Sequence, residues 1–162
     1  MIILGIDPGD TFIGYGVIKK SGSKLSLVDC GCIKTKTGAR AGEKLHELEE
    51  KLAKIILKHK PALCGVEDIF FFKNLKTAIK VAQARGVILA TCRRHNIEIS
   101  EFTPLQIKQA VTGYGQAQKK QVQKMVSLIL KLNKPIIQDD AADAIAAAIC
   151  AANSYNWSSN SL

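Results

Sequence analysis

Four acidic residues sit where a folded chain can bring carboxylates together. Asp7 ends a β-branched apolar run, Ile2 to Ile6, and the Pro8-Gly9 turn follows it. Glu67 lies inside a second apolar run, Ala62 to Ile69, among Cys64, Gly65, Val66 and Ile69, where an unpaired charge is costly. Asp140 and Asp143 open an alanine-rich segment at a spacing of three, which puts them on one face of a helix. If the two runs are neighbouring strands and the helix crosses their ends, four carboxylates share one small volume and need a hard divalent cation to hold them together. Such a cluster suits phosphodiester hydrolysis with two magnesium ions roughly 3.5 to 4 Å apart. Asp7 is then the expected bridging ligand, with Glu67 and the helix pair as outer ligands and Asp140 or Asp143 orienting the attacking water.

Taken singly, each acid also has a structural use. Asp-Pro-Gly is a common turn. Asp139, Asp140 and Asp143 in a first helical turn would offset the macrodipole and serve as caps. Lys73, Lys76 and Lys80 recur at helical spacing and either track a phosphate backbone or form a solvated face. Phe70, Phe71 and Phe72 are consecutive aromatics that an alternating strand cannot all turn inward, which leaves one to stack on an unpaired base or line a groove.

The elements that must position these residues are legible as periodicities. Ile2 to Ile6, Phe12 to Lys19 and Lys24 to Thr35 read as three strands, the last two joined by a Ser21-Gly22-Ser23 turn. Leu45, Leu48, Leu52, Ile55 and Ile56 mark an amphipathic helix that stops near Pro61. The strand carrying Glu67 leads to a helix through Leu75, Ala78, Ile79, Ala82 and Gly86, with Gly86 on its apolar face, where the missing side chain lets another element approach closely. Ile97 to Phe102 is a further strand, Pro104 opens a helix that Gly113-Tyr114-Gly115 ends, Val122 to Ile129 forms another, and Asp139 to Ala152 the last. The order β-β-β-α-β-α-β-α-α-α predicts an α/β architecture, a mixed five-stranded sheet with helices on both faces. One domain over residues 1–153 is expected, with 154–162 as a flexible Asn/Ser-rich tail.

Twenty-three Lys and Arg against fourteen Asp and Glu leave a net charge of +9, which favours a polyanionic partner, nucleic acid first, or merely keeps the protein in solution. Five cysteines, Cys30, Cys32, Cys64, Cys92 and Cys150, form no C-x-x-C pair and have no histidine at ligand spacing, so buried free thiols in a reducing cytoplasm are expected and zinc is not. No stretch has the roughly 20 apolar residues of a membrane span. Gly9 to Gly16 lacks the Lys-Ser/Thr of a P-loop, and 162 residues leave no room for the second half of an actin-like ATPase.

The chain resembles the RuvC family of Holliday junction resolvases, dimeric nucleases with a ribonuclease H-like fold. The likeness rests on Ile3-Leu4-Gly5-Ile6-Asp7-Pro8-Gly9, Gly14-Tyr15-Gly16, Val66-Glu67-x-x-Phe70, Ala84-Arg85-Gly86, Lys108-Gln109, Lys119 and Asp140-Ala141-Ala142-Asp143-Ala144. It implies that Asp7, Glu67, Asp140 and Asp143 bind magnesium or manganese, that Lys108 and Lys119 work near the scissile phosphate, and that Phe70 contacts bases of an opened four-way junction. It also implies a homodimer through the helix that carries Gly86, and partnership with the RuvA-RuvB branch-migration complex. Two other readings share part of this pattern. A ribonuclease H-like nuclease for RNA hybrids would keep the acids without the dimer, and a non-catalytic junction-binding protein would keep only the basic groove, which metal dependence would expose.

Overall fold

The β-branched runs form strands that pair in the order β3-β2-β1-β4-β5 in the computed structural model, which describes residues 1–69, 75–133 and 139–155. Here β1 is Ile2–Asp7, β2 Phe12–Ser21, β3 Lys24–Lys34, β4 Leu63–Glu67 and β5 Glu98–Phe102. The first three form an antiparallel meander, and β4 and β5 join parallel to β1, so the sheet is mixed. The helices are α1 (Ala41–His59), α2 (Leu75–Arg94), α3 (Pro104–Thr112), α4 (Lys119–Ile129) and α5 (Asp139–Ser154). All ten elements occur in the expected order. Glu67 closes β4 instead of lying within it, so it ends its strand as Asp7 does. The last helix reaches Ser154, one residue into the segment expected as a tail.

Strand alternation divides the apolar residues between two cores. Leu4, Ile6, Val17, Cys64 and Val66 face Leu48, Leu52 and Ile56 of α1 and Ala84, Ile88 and Cys92 of α2. Ile3, Ile18 and Leu63 face α5, which α3 and α4 cover in turn through Ile107, Val111, Val122 and Val126. From Ala141 to Ala152 every α5 residue except Asp143 is buried, as befits a helix enclosed on all sides.

The apolar residues of α2 fall on two faces. Ala78, Ala84, Ile88 and Cys92 are its buried positions, whereas Ile79 is 59% exposed and Ala82 and Gly86 also face outward. Among the described residues, a side-chain carbon added at Gly86 would meet nothing within 4 Å, so no close approach there calls for glycine. The helix carries two apolar stripes, and the one that meets α1 and the sheet is the one this chain buries.

Among the described residues, no helix is long and apolar enough to cross a membrane. All five cysteines are free; Cys64, Cys92 and Cys150 are buried, and Cys30 and Cys32 half-buried. Phe70, Phe71, Phe72 and Lys73 lie outside the described residues, as do the side chain of Lys76 and residues 156–162.

Candidate active site

Alternation along β1 and β4 turns Ile3, Gly5 and Asp7, and likewise Leu63, Gly65 and Glu67, to the α5 side of the sheet. Two of these positions are glycine for a steric reason. A side-chain carbon on Gly5 would overlap the carbonyl oxygen of Ala144, and one on Gly65 would stand 2.5 Å from that of Ala147. Gly14 and Gly16 of β2 make the same room beneath Asp140 and Ile145. With glycine on the sheet and alanine on the helix, α5 rests backbone on backbone, and its first turn comes down beside the ends of β1 and β4.

That descent builds a cleft of about 300 Å³ lined by Asp7, Glu67, Asp143, Lys108 and Lys119, with Pro104, Ile107, Val122 and Ala146 as its apolar wall. Burial and then the charges of Glu67, Asp143 and Asp140 push the Asp7 carboxyl up to about 8. Burial and Asp143 raise Glu67 to about 7, against the pull of Lys108, Lys119 and a hydrogen bond with Asp7. Both carboxyls are thus held above the usual carboxylate range, by burial first and by their acidic neighbours next. Burial also raises Asp143, although Lys119 opposes the shift. Asp140 stands beside the cleft and not in its lining; its charge is felt by Asp7 and, on the other side, by Cys32.

The two lysines reach this cleft from separate helices. The α3 that carries Lys108 starts with Pro104 behind a reciprocal cap, the Thr103 amide donating to Gln106 Oε1 at 2.8 Å and the Gln106 amide to Thr103 Oγ1 at 3.3 Å. Gly113 ends it in the left-handed conformation at φ 76°, a backbone state glycine adopts freely. Lys119 is the first residue of α4, and its ammonium lies 3.0 Å from Asp143 Oδ2 and 3.5 Å from Asp139 Oδ2. Although burial disfavours its charge, these acids hold Lys119 above the ordinary lysine value. Asp139 turns to α4, where Gln123 Nε2 donates to it at 2.7 Å, and it shares the Lys119 ammonium with Asp143.

The structure thus brings Asp7, Glu67, Asp143, Lys108 and Lys119 together and sets Asp140 at their edge. Lys80 lies elsewhere, exposed on α2 beside a second cavity of about 300 Å³ on the α1 side of the sheet, 3.9 Å from Asp10. Sequence reasoning passed over the network at that cavity, where Lys44 donates to Asp10 Oδ1 and Thr11 Oγ1 at 2.9 Å each. It also passed over Arg85, which meets Asp68 and Glu101. In both networks the partners are far apart in the chain, and no periodicity announces them.

The cleft's donors are all carboxylate oxygens, the set a hard divalent cation takes. The donor chemistry fits magnesium or manganese. Among the described residues, no three His, Cys, Asp or Glu side chains stand close enough to enclose an ion. Asp7 and Glu67 pair with each other while Asp143 pairs with Lys119.

Comparison with known proteins agrees in sequence and in fold. The family model for Crossover junction endodeoxyribonuclease RuvC matches residues 3–151. Crossover junction endodeoxyribonuclease RuvC of Petrotoga mobilis is 50% identical over 153 residues, 94% of each chain. Its counterpart from Pelotomaculum thermopropionicum is 47% identical over 157 residues, 97% of this chain and 96% of the relative. Among solved structures, Thermus thermophilus RuvC in complex with Holliday junction substrate superposes with a TM-score of 0.87 at 32% identity, covering 94% of this chain and 93% of that one.

Proposed function

This chain belongs to the RuvC family, and from that premise we propose that it resolves four-way DNA junctions by paired, symmetric phosphodiester hydrolysis that leaves ligatable nicks, in recombination and repair. It is a metal-dependent nuclease of that family with a ribonuclease H-like fold. The observation that carries the reading is the meeting of buried acids from β1, β4 and α5 with two lysines in one cleft. We assign the reaction to a single domain, residues 1–153.

Asp7, Glu67, Asp140 and Asp143 are the residues that would hold two magnesium ions, or manganese in their place, and such a cation would supply Lewis-acid polarisation of the phosphodiester and a more acidic attacking water. The chain's own groups do the rest. The raised carboxyls of Asp7 and Glu67 would release protons to such a cation. Lys119 holds Asp143 at 3.0 Å in the absence of substrate, and an incoming phosphate competes for that ammonium and frees the carboxylate. Lys108, which already draws on Glu67 electrostatically, neutralises the phosphate as negative charge builds on it. Ile107, Val122 and Ala146 keep the cleft partly dry, which strengthens each of these charges.

Beyond the cleft, the reading takes in junction arms that lie across the basic surface, with Lys73, Lys76 and Lys80 on phosphates and Phe70 against an opened base. The outward stripe of α2, Ile79, Ala82 and Gly86, suits a two-fold dimer, which sets two clefts on opposite strands of a two-fold junction. Partnership with RuvA and RuvB extends the family resemblance, and unpaired cysteines suit the reducing cytoplasm.

The test is incubation of the purified protein with a mobile, strand-labelled junction, with magnesium or with chelator. Paired nicks at symmetric positions, seen only with the cation and sealed by ligase, are expected. Tight binding without cutting in either magnesium or manganese supports a junction-binding protein instead.

A further inference from the structure

Arg85 lies on α2, on the side of the sheet away from the acid cleft, with its side chain 20% exposed. Its Nη2 stands 3.1 Å from Asp68 Oδ1 and also donates to Glu101 Oε2. Its Nε is buried and has no partner among the described residues. Alternation explains why these two acids meet it. Glu67 turns to the cleft, so the next residue, Asp68, turns to the back. On β5, Phe102 packs into the α5-side core, so Glu101, the register partner of Val66, turns back as well.

The two acids mark the ends of the two strands that serve the cleft. The Asp68 amide donates to the Phe102 carbonyl at 2.8 Å, one residue beyond Glu67. Immediately after Phe102, Thr103 caps α3, which carries Lys108. A half-buried guanidinium with one orphaned N–H adds little net stability. What it does supply is geometry, because both acids meet the one planar Nη2, whose N–H directions the rigid guanidinium fixes.

We propose that Arg85 is a positioning residue for strand cleavage: by gripping Asp68 and Glu101 from behind the sheet, it sets the ends of β4 and β5 and so the placement of Glu67 and Lys108. This rests on the nuclease reading above. Arg85 touches none of the reacting atoms and acts through the two strand ends.

The experiment compares the full chain with Arg85→Gln, Arg85→Lys and Glu101→Gln. It reads junction cleavage over a range of magnesium, manganese binding by calorimetry, and hydrogen exchange at the Asp68 amide. For Arg85→Gln, kcat falls about 10-fold or more, the size usual for outer-shell partners of metal ligands. KM for the junction stays unchanged, manganese binds more weakly, and Asp68 exchanges faster. Arg85→Lys recovers part of kcat, and Glu101→Gln moves every reading the same way by less. Wild-type kcat and manganese affinity in Arg85→Gln overturn the proposal, as does a kcat loss that only follows the folded fraction and that Arg85→Lys does not relieve. If Arg85→Gln fails to fold, Glu101→Gln decides: a lower kcat at unchanged KM supports the grip, and a wild-type kcat refutes it. A wild-type protein that neither cuts junctions nor binds manganese refutes the nuclease reading itself; unchanged Asp68 exchange in the Arg85 variants then also refutes the grip.

Discussion

On one face of the sheet, Leu4, Ile6, Val17 and Val66 meet Leu48 and Leu52 of α1 and Ile88 of α2. On the other, Gly5, Gly14, Gly16 and Gly65 meet the backbone and alanines of α5. The first face is held by bulk. Its branched side chains bury apolar area, and rotamer changes can absorb a small misfit. The second face, beside Ile3, Ile18 and Leu63, gives up part of that area for closeness. Backbone against backbone has no rotamer to adjust, so the start of α5 is fixed relative to Asp7 and Glu67. Shape is kept on one side of the sheet and placement on the other, and the acids lie on the side of placement.

Mutations on the two faces test that contrast, beginning with its chemical end point. Asp7→Asn removes the central ligand and no backbone contact with DNA. Cleavage drops by on the order of 10³-fold or more, about 4 kcal/mol of barrier, while junction affinity by gel shift stays near wild type. Loss of both would make Asp7 a structural residue. Next come the packing residues. Gly5→Ala forces α5 off the sheet, costs about 1–3 kcal/mol in urea unfolding and lowers kcat per folded molecule. Leu52→Ala costs about 2–5 kcal/mol yet leaves kcat per folded molecule intact. If both variants lose activity only in step with stability, the distinction between the faces fails.

The contrast also bears on what could be read in the chain. The acids were legible because Asp7 ends an apolar run, Glu67 is a charge inside one, and Asp140-x-x-Asp143 marks one face at a helix start. The role of Gly5 and Gly65 was not, because a glycine in a strand looks the same whether it lies beneath a helix or at a bend. Ile79, Ala82 and Gly86 are legible as an apolar stripe, but periodicity reports that a stripe is apolar and not which surface covers it. Lys108 and Lys119 stood out only through family likeness, as their partners Glu67 and Asp143 come from other elements. Arg85 was quoted within that likeness without a role, because Glu101 lies on another strand.

A smaller effect separates the faces by pH. Without cation, the folded state binds protons at Asp7 and Glu67 more tightly than the unfolded chain, whose carboxyls titrate near 3.8 and 4.5. Their contribution to stability is therefore complete below about pH 4 and is lost as pH rises through about 7 to 8. In chelator, the urea midpoint falls across that window, magnesium restores it most at the alkaline end, and Asp7→Asn flattens the slope. A midpoint that rises over the same range would contradict the raised carboxyls.

The smallest effect is expected at Gly86. Alanine there meets no atom among the described residues and raises helix propensity by up to about 1 kcal/mol. If α2 packs closely across a two-fold axis, sedimentation equilibrium shows a weaker dimer despite a more stable subunit. Unchanged dimer affinity takes Gly86 out of the interface.

The central proposal is that a divalent cation would displace protons from the raised carboxyls of this cleft. Its most direct test is manganese binding at pH 7, measured calorimetrically in buffers of different ionisation enthalpy. With Asp7 raised to about 8 and Glu67 to about 7, uptake of the cation should release roughly one proton, and Asp7→Asn should abolish most of that release. Binding without proton release, or no binding at all, would contradict it.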